Sequence, residues 1–322
     1  MKKSSQMSSP SYTSSTRGRG RGGGRGGKVI TSTASTNNFS NFNENARVKR
    51  EEEKKRLSDE FYPAKRGEKF TTFISDLLKT KAKLPSDKIT EYIKYIDIFE
   101  QAFTHPTSNY HKNYEALEII GDSILNFCIV NYIQERFPHL MSGDGNGVKT
   151  IARLKINLVS KKVFANFANE LGFSEYIASD MLTRKDDMNS LLEDVFEAFN
   201  GALMQVAKAC DPSSTKKGYL VGIGPQYRIV MYLLDSIDIS LKYEDLYDAK
   251  TRFKQMSESK GIAGRVRFEN DLNGENKIIF TAIISVNING QDFEWSGKDF
   301  TKAGAEQIAC ELAITNIKKM DF

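Results

Sequence analysis

The sequence predicts an all-α domain followed by a small α+β domain of order α-β-β-β-α, behind a disordered N-terminal tail. Apolar residues recur three and four positions apart through residues 67–240, where few stretches alternate as strands do. From residue 247 the pattern changes to one helix, three strand-like runs and a closing helix. The first 45 residues contain too little apolar surface to form a core.

The N-terminal extension, residues 1–66, begins with low-complexity sequence and ends in a run of charged residues. Residues 1–28 contain seven Lys or Arg and no acid. The positive charge of this segment therefore exceeds the net charge of +5 of the whole chain. Arginines spaced by glycine, as in RGRGRGGGRGGK (17–28), can bind phosphates and stack on bases without reading sequence. This favours an auxiliary RNA-binding arm, and a solubilising or targeting tail is the alternative. The charged residues 46–66 predict a solvated helix that Pro63 ends.

The predicted helical domain, residues 67–240, is divided by prolines, glycines and polar loops. One helix stops before Pro106, and the next begins after Asn113, whose side chain can cap it. The segment SGDGNG at 142–147 predicts a loop. Residues 186–210 predict one long helix with an apolar stripe.

The second domain, residues 247–322, follows a short linker at 241–246. Its first helix ends at Gly261, and Asn-Gly pairs at 273–274 and 289–290 predict the turns between its three strands. Two folded domains of different class are therefore expected.

Composition argues against several other classes of protein. No run of about 18 apolar residues is present, so neither a membrane span nor a membrane partner is expected. The first thirty residues lack the apolar segment of a signal peptide. The three cysteines, Cys128, Cys210 and Cys310, are far apart and form no CxxC pair. They argue against a zinc site and predict reduced thiols in an intracellular protein, either nuclear or cytoplasmic.

Five carboxylates lie at helical spacing in two otherwise apolar segments. Glu115, Glu118 and Asp122 are at positions i, i+3 and i+7 in YEALEIIGDSIL. Asp194 and Glu197 repeat the i, i+3 spacing in EDVFEAF. Because residues three and four apart share one face of a helix, acids from the two segments can converge if the helices pack together.

Acids that converge in this way repel one another, and a divalent cation between them makes the arrangement favourable. Oxygen-rich sites suit Mg²⁺, for which Mn²⁺ can substitute, and two such ions can assist cleavage of a phosphodiester. A glycine inside the first helix, Gly121, costs about 0.5–1 kcal/mol relative to Ala, so it suggests close packing or a ligand. The alternative is two ordinary solvated helix edges, and the spacing alone leaves both interpretations open.

The first acidic segment also resembles the signature of ribonuclease III, which is close to ERLEFLGDAVL where this chain has EALEIIGDSIL (115–125). Four further blocks are similar to the family in the family's order: QAFTHPT (101–107), ERFP (135–138), IARLKINLVSKKVFANFANELGF (151–173) and LLEDVFEAFNGAL (191–203). The second domain resembles a double-stranded-RNA-binding domain. The resemblance covers residues 70–320, and the ordered set is far more specific than any single block.

The resemblance implies an endonuclease domain at 67–240 and a double-stranded-RNA-binding domain at 247–322. The metal ligands and catalytic residues that it implies are Glu118, Asp122, Asp194 and Glu197, with Glu115 as a further acid of the cleft. The expected cofactor is Mg²⁺, and Mn²⁺ is expected to substitute for it.

Members of the family form homodimers through the helical domain, and each protomer cuts one strand of double-stranded RNA. The resemblance therefore implies RNA processing or decay that leaves 5′-phosphate and 3′-hydroxyl ends with short 3′ overhangs. One alternative is a non-catalytic homologue that binds or sequesters double-stranded RNA, and another is an Arg-Gly adaptor. The complete set of four acids favours the enzyme.

Two positions near the predicted site are assigned from the family pattern. Asp144 lies where many members carry a Glu-Gly pair, and it could replace that acid. His105 lies in the family's THP block, and we expect it to hydrogen-bond within the fold rather than to act in catalysis.

The second domain departs further from the family pattern. Its loop NGENK lacks the family's Pro and His, and Ala303 replaces the second lysine at the start of the last helix. Residues 244–322 contain 11 basic and 13 acidic residues, so RNA binding should be weak unless the Arg-Gly tail supplies charge. A role in protein contact is the alternative. The expected RNA contacts are Thr251, Gln255, Lys277 and Lys302.

Overall fold

A computed structural model describes residues 36–141, 145–211, 223–272 and 278–320. The chain divides into two units between residues 53 and 54, and both folded domains lie in the second unit. The described helices are α1 (Thr36–Asp59), α2 (Glu68–Thr80), α3 (Ser86–Ile93), α4 (Ile96–Ala102), α5 (Glu115–Arg136), α6 (Asn146–Leu158), α7 (Lys161–Glu170), α8 (Met181–Asp186), α9 (Met188–Cys210), α10 (Ile223–Leu234), α11 (Tyr243–Leu246), α12 (Ala249–Lys260) and α13 (Lys302–Ile317). The strands are β1 (Gly264–Leu272), β2 (Ile278–Ile288) and β3 (Gln291–Asp299).

The charged helix α1 includes residues that the sequence assigned to the low-complexity tail, and it ends at Asp59, before the predicted stop at Pro63. Residues 60–66, also assigned to the extension, run along the helical domain. There the Arg66 guanidinium donates to the Phe103 carbonyl oxygen at 2.9 Å. Contacts of the helical domain therefore begin before residue 67. The Arg-Gly segment lies outside the described residues.

Helices α5 and α9 pack against each other at the centre of the helical domain, and α4, α7 and α10 surround them. The core is rich in fully buried aromatic rings: Phe70, Phe99, Phe103, Phe164, Phe173, Phe196 and Phe199. By length and composition α5 could cross a membrane. Its residues Leu125, Cys128 and Ile129 are completely buried against other helices, as in the core helix of a globular domain.

The second domain has a core of its own, formed where α12 and α13 pack on one face of a three-stranded antiparallel sheet. The strand order is β1-β2-β3, and Ala282, Ile284 and Val286 of β2 point into this core. A two-residue turn joins β2 and β3, with Asn289 and Gly290 both at positive φ (53° and 84°). This confirms the second predicted Asn-Gly turn. The first, at 273–274, lies outside the described residues.

The segment predicted as a linker, residues 241–246, contains the short helix α11. Its Leu246 is buried against the helical core, and the Leu246 carbonyl oxygen accepts a hydrogen bond from Asn157 Nδ2 at 3.1 Å. The next residue, Tyr247, lies under the Arg153 guanidinium at 4.3 Å from the ring centre. The connection between the two domains is therefore anchored on the helical domain.

Candidate active site

Helices α5 and α9 approach each other so closely that glycine is needed at two points. A Cβ atom on Gly121 of α5 would lie 1.7 Å from the carbonyl oxygen of Glu197 on α9. A Cβ atom on Gly201 of α9 would lie 2.0 Å from the carbonyl oxygen of Leu117 on α5. Two backbones in contact leave no room for side chains between them, so the neighbouring acids of both helices emerge at one crossing. This is the physical reason for the glycine within the acidic signature.

The four acids of the predicted quartet influence one another across the crossing. Glu197 is buried, with 9% of its surface exposed, and the other three are half-buried. Burial first, and then repulsion by Asp122 and Glu118, raises the pKa of Glu197 to about 8. Burial, followed by repulsion from Asp194 and Glu115, raises the pKa of Glu118 to about 7. The site therefore concentrates negative charge and holds protons at neutral pH.

The two aspartates of the quartet are held by neutral hydrogen-bond donors. The Tyr114 hydroxyl donates to Asp194 Oδ2 at 2.9 Å, and Asn126 Nδ2 donates to Asp122 Oδ1 at 2.7 Å. Burial raises the pKa of Tyr114, and Asp194 raises it further, so the phenol stays protonated as a donor. Burial raises the pKa of Asp194, and the hydrogen bond from Tyr114 opposes this by lowering it.

Sequence reasoning missed both donors, although each has a recognisable position. Tyr114 directly precedes the acidic helix, and Asn126 follows Asp122 by four residues on the same face. Within the described part of the chain, no hydrogen bond holds the carboxylate of Glu118 or Glu197. The site thus combines two tethered aspartates with two glutamates that lack such a tether.

A sixth acid and one lysine also border the quartet and were not predicted. Glu193 raises the pKa of both Glu118 and Glu197 by repulsion. Lys161 at the start of α7 lies 3.5 Å from Glu193 Oε2, with its Nζ also donating to Ser190 Oγ at 2.5 Å. Glu193 precedes Glu197 by four residues, and this spacing was the signal that could have identified it.

The donor set suits a hard divalent cation, because all four side chains offer carboxylate oxygens and no cation among the described residues forms an ion pair with any of them. Among the described residues, no three Asp, Glu, His or Cys side chains are arranged to hold an ion as they stand. Like charges repel, and flexible glutamates can turn apart without moving the helices. The crossing of the two backbones brings the acids close enough for each to affect the pKa of its neighbours, as Glu118 and Glu197 show.

The remaining predicted residues of the helical domain lie around this cluster. Glu115 is exposed at its rim, and it adds to the repulsion that raises the pKa of Glu118. The His105 ring makes an edge contact with Tyr114, 5.6 Å between ring centres, and its Nδ1 pairs with Thr107 Oγ1 at 2.8 Å. Hydrogen bonding within the fold is the role expected of this histidine. Asp144 lies outside the described residues.

The predicted RNA contacts of the second domain remain predictions, and the structure gives their present partners. The Thr251 hydroxyl donates to Asp248 Oδ2 at 2.7 Å, at the N-cap of α12. Gln255 Oε1 accepts from the Tyr243 hydroxyl at 2.5 Å. Lys302 is exposed at the start of α13, with its Nζ 5.9 Å from the centre of the Phe268 ring. Lys277 lies outside the described residues.

Comparison with known proteins places this chain in a family. The sequence profile of the ribonuclease III domain matches residues 115–207, which include the acidic parts of α5 and α9. A protein of Invertebrate iridescent virus 6 assigned as ribonuclease 3 is 35% identical over 222 residues, which are 65% of this chain and 74% of that protein. The chain belongs to the ribonuclease III family.

Further relatives of the ribonuclease III family match different shares of the chain. A Frog virus 3 protein with the same assignment is 41% identical over 165 residues, which are 51% of this chain and 43% of that protein. The chain therefore spans less than half of that relative. The nuclease domain of ribonuclease III from Campylobacter jejuni gives a TM-score of 0.36 at 22% identity, covering 50% of this chain and 95% of that one.

The ribonuclease III assignment agrees with both parts of the fold. The helical domain contains the segment that the family profile matches. The following α-β-β-β-α unit, from α12 to α13, fits a double-stranded-RNA-binding domain. The fold class predicted from the sequence is therefore confirmed.

Proposed function

We propose that this chain is a double-strand-specific endoribonuclease that hydrolyses RNA phosphodiesters with the help of Mg²⁺ or Mn²⁺. The products would have 5′-phosphate and 3′-hydroxyl ends with short 3′ overhangs. The observation that carries the proposal is the convergence of Glu118, Asp122, Asp194 and Glu197 where α5 crosses α9. Membership of the ribonuclease III family supports the choice of RNA as substrate.

Each acid of the site has a role in the proposed reaction. The quartet would hold the divalent ions, which neutralise charge on the phosphate and activate the attacking water when bound. Glu118 and Glu197 carry raised pKa values, so they would release protons as an ion binds. Asp122 and Asp194 keep fixed orientations through their neutral donors. Exposed Glu115 would shape the rim on which the RNA backbone lies.

We also propose that the chain acts as a homodimer through α5. Three residues along one face of this helix expose apolar side chains: Ile119 (71%), Phe127 (53%) and Val130 (38%). Beside them lies an open groove lined by Ile120, Ile124, Met204 and Ile223. A second copy of the same face would cover both features. The natural RNA would then lie across two sites, one for each strand.

The second domain and the tail are proposed to bind RNA together. Lys302 offers an exposed charge, whereas residues 247–322 contain as many acids as bases, 11 of each. Seven basic residues within positions 1–28 would add contacts to phosphates. Deleting them should raise the dissociation constant for duplex RNA, and an unchanged constant at low salt would contradict this role.

An intracellular location, nuclear or cytoplasmic, is part of the same proposal.

The activity is tested by incubating the purified full-length chain with a long RNA duplex, with and without Mg²⁺. We expect cleavage only with Mg²⁺, and only of the duplex when a single strand of the same sequence is offered. Glu197→Gln keeps the side-chain size and removes the charge, so it should bind the duplex without cutting it. A matched control is Glu170→Gln, which changes an exposed acid at the end of α7.

Two outcomes would decide against the proposal. Wild-type protein that binds the duplex but never cuts it with Mg²⁺ or Mn²⁺ would support the non-catalytic RNA-binding homologue. If Glu197→Gln cuts the duplex as well as the wild type does, the crossing of α5 and α9 is not the reaction site.

A further inference from the structure

One tyrosine connects the start of α5 to the acid cluster on α9. Tyr114 has only 3% of its surface exposed, and its hydroxyl reaches Asp194 Oδ2 at 2.9 Å across 80 residues of sequence. Among the described residues, no other hydrogen bond reaches the Asp194 carboxylate. Without this contact, the carboxylate could rotate about its side-chain bonds in a half-buried space.

The backbone of Tyr114 is fixed from both sides, so its hydroxyl is a rigid reference point. Its amide donates to the Thr104 carbonyl oxygen at 3.0 Å, and its own carbonyl oxygen accepts from the Glu118 amide at 3.0 Å. The loop before it is tied in the same way, because Gln101 Nε2 donates to the Asn113 carbonyl oxygen at 2.9 Å. A donor held this firmly can select one orientation of its acceptor.

The chemistry of the donor matters as much as its position. A Lys or Arg at this point would neutralise Asp194 and weaken its attraction for a cation. A phenol orients the carboxylate and leaves its negative charge in place. With Oδ2 engaged, Oδ1 is the oxygen that remains for an ion. Asn126 repeats this arrangement at Asp122, where its neutral amide donates to Oδ1.

We propose that Tyr114 and Asn126 are positioning residues, which orient Asp194 and Asp122 for divalent cations without cancelling their charge. The inference rests on the proposed function, because it concerns ion binding by the same four acids. It differs from a purely structural role in one measurable respect. A structural role predicts a loss of stability alone, whereas positioning predicts a loss of ion affinity in a protein that stays folded.

The chain offers a matched control for the tyrosine. Tyr132 lies within α5 and is 4% exposed, and its hydroxyl donates to Asp235 Oδ1 at the same distance of 2.9 Å. Asp235 is not part of the acid cluster. Tyr114→Phe and Tyr132→Phe therefore remove the same hydroxyl from similar surroundings, and only the first change affects a proposed ligand.

The experiment is calorimetric titration of Mn²⁺ into the metal-free full-length chain in the absence of RNA. Tyr114→Phe should raise the dissociation constant roughly 10–100-fold, as removal of partners of metal ligands commonly does. Tyr132→Phe should leave it unchanged. In a background of Asp194→Asn, adding Tyr114→Phe should have no further effect, because the group that it orients is gone. Circular dichroism of each variant establishes that it is folded.

Asn126→Leu provides a second test that does not depend on a buried tyrosine. It should also weaken Mn²⁺ binding, whereas Asn131→Leu should not, because the Asn131 amide donates to the Phe127 carbonyl oxygen and, among the described residues, to no acid. If wild type binds Mn²⁺ and both Tyr114→Phe and Asn126→Leu bind it equally well, the positioning role is wrong. If wild type does not bind Mn²⁺, the proposed function fails instead, so the two failures are distinguishable.

Discussion

Charged side chains are arranged in opposite ways in two regions: at the crossing of α5 and α9, and on the surface of the second domain. In the second domain, acids are paired with bases in ion pairs that have at least one exposed partner: Arg267 with Glu294 at 2.8 Å, Lys250 with Glu306 at 3.0 Å and Arg252 with Glu311 at 2.5 Å. At the crossing, four acids share a partly buried space, and none of them pairs with a base among the described residues. Exposed pairs of opposite sign contribute little to stability, whereas buried like charges oppose folding. Where a fold retains such charges, a function is the first explanation to test.

The largest expected effect concerns the backbone contact that creates the crossing. Gly121→Ala would place Cβ 1.7 Å from a backbone carbonyl oxygen, so α5 and α9 must separate. We expect a loss of about 3 kcal/mol or more in the free energy of unfolding, at the upper end of overpacking effects. Urea denaturation followed by circular dichroism measures it.

A glycine elsewhere serves as the control for this change. Gly224 lies in α10, and a Cβ atom added there would meet none of the described residues within 4 Å. Gly224→Ala should be neutral or stabilise the protein by up to about 1 kcal/mol through helix propensity. If Gly121→Ala proves as mild as Gly224→Ala, close backbone contact does not explain how the acids come together.

The next effect concerns the folding stability that is lost when the buried acids ionise. The folded-state pKa of Glu197 is about 8 and its ordinary value is 4.5. The folded protein therefore retains a proton that the unfolded chain releases. The stability that depends on this proton is fully present below about pH 4.5 and is lost as the pH rises through 8, on the order of a few kcal/mol.

This pH dependence is measurable as the urea midpoint of the metal-free protein between pH 5 and pH 9. We expect the wild type to lose stability across this interval and Glu197→Gln to lose less, because the amide never ionises. Glu68→Gln, a change on the exposed surface of α2, controls for the removal of one charge. Equal slopes for wild type and Glu197→Gln would mean that Glu197 is ionised in the folded protein throughout this range.

Spacing predicted only that the acids of each segment share one helix face, and the resemblance to ribonuclease III was needed to single out the four acids as one site. The glycine in the signature suggested close packing or a ligand, and its approach to the Glu197 carbonyl oxygen shows close packing. Tyr114 was not predictable, because its contact with Asp194 spans 80 residues and depends on how α5 meets α9. The ion pair of Lys161 with Glu193 depends likewise on the packing of α7 against α9.

In the second domain, local signals predicted the elements but could not assign the surface. The turn at 289–290 followed from its Asn-Gly sequence alone. The assignment of Thr251 and Gln255 to RNA binding came from family pattern, and both side chains have hydrogen-bond partners within the protein. Which face receives RNA depends on charge and shape across several elements, and no single segment of sequence encodes that.

The smallest expected effect is a change in the salt dependence of RNA binding, which should differ between the predicted RNA contacts Lys302 and Gln255. Lys302 is an exposed cation at the start of α13, so Lys302→Ala should weaken duplex binding modestly. It should also reduce the slope of log affinity against log salt by about one, as expected for one lost phosphate contact. Gln255 is neutral and already accepts from Tyr243, so Gln255→Ala should leave that slope unchanged. Binding of a short RNA duplex measured by fluorescence anisotropy at several salt concentrations distinguishes the two. Equal slopes for wild type and Lys302→Ala would mean that the phosphate contacts lie elsewhere. The contrast in charge between the acid cluster and the second domain would then say nothing about how α13 recognises RNA.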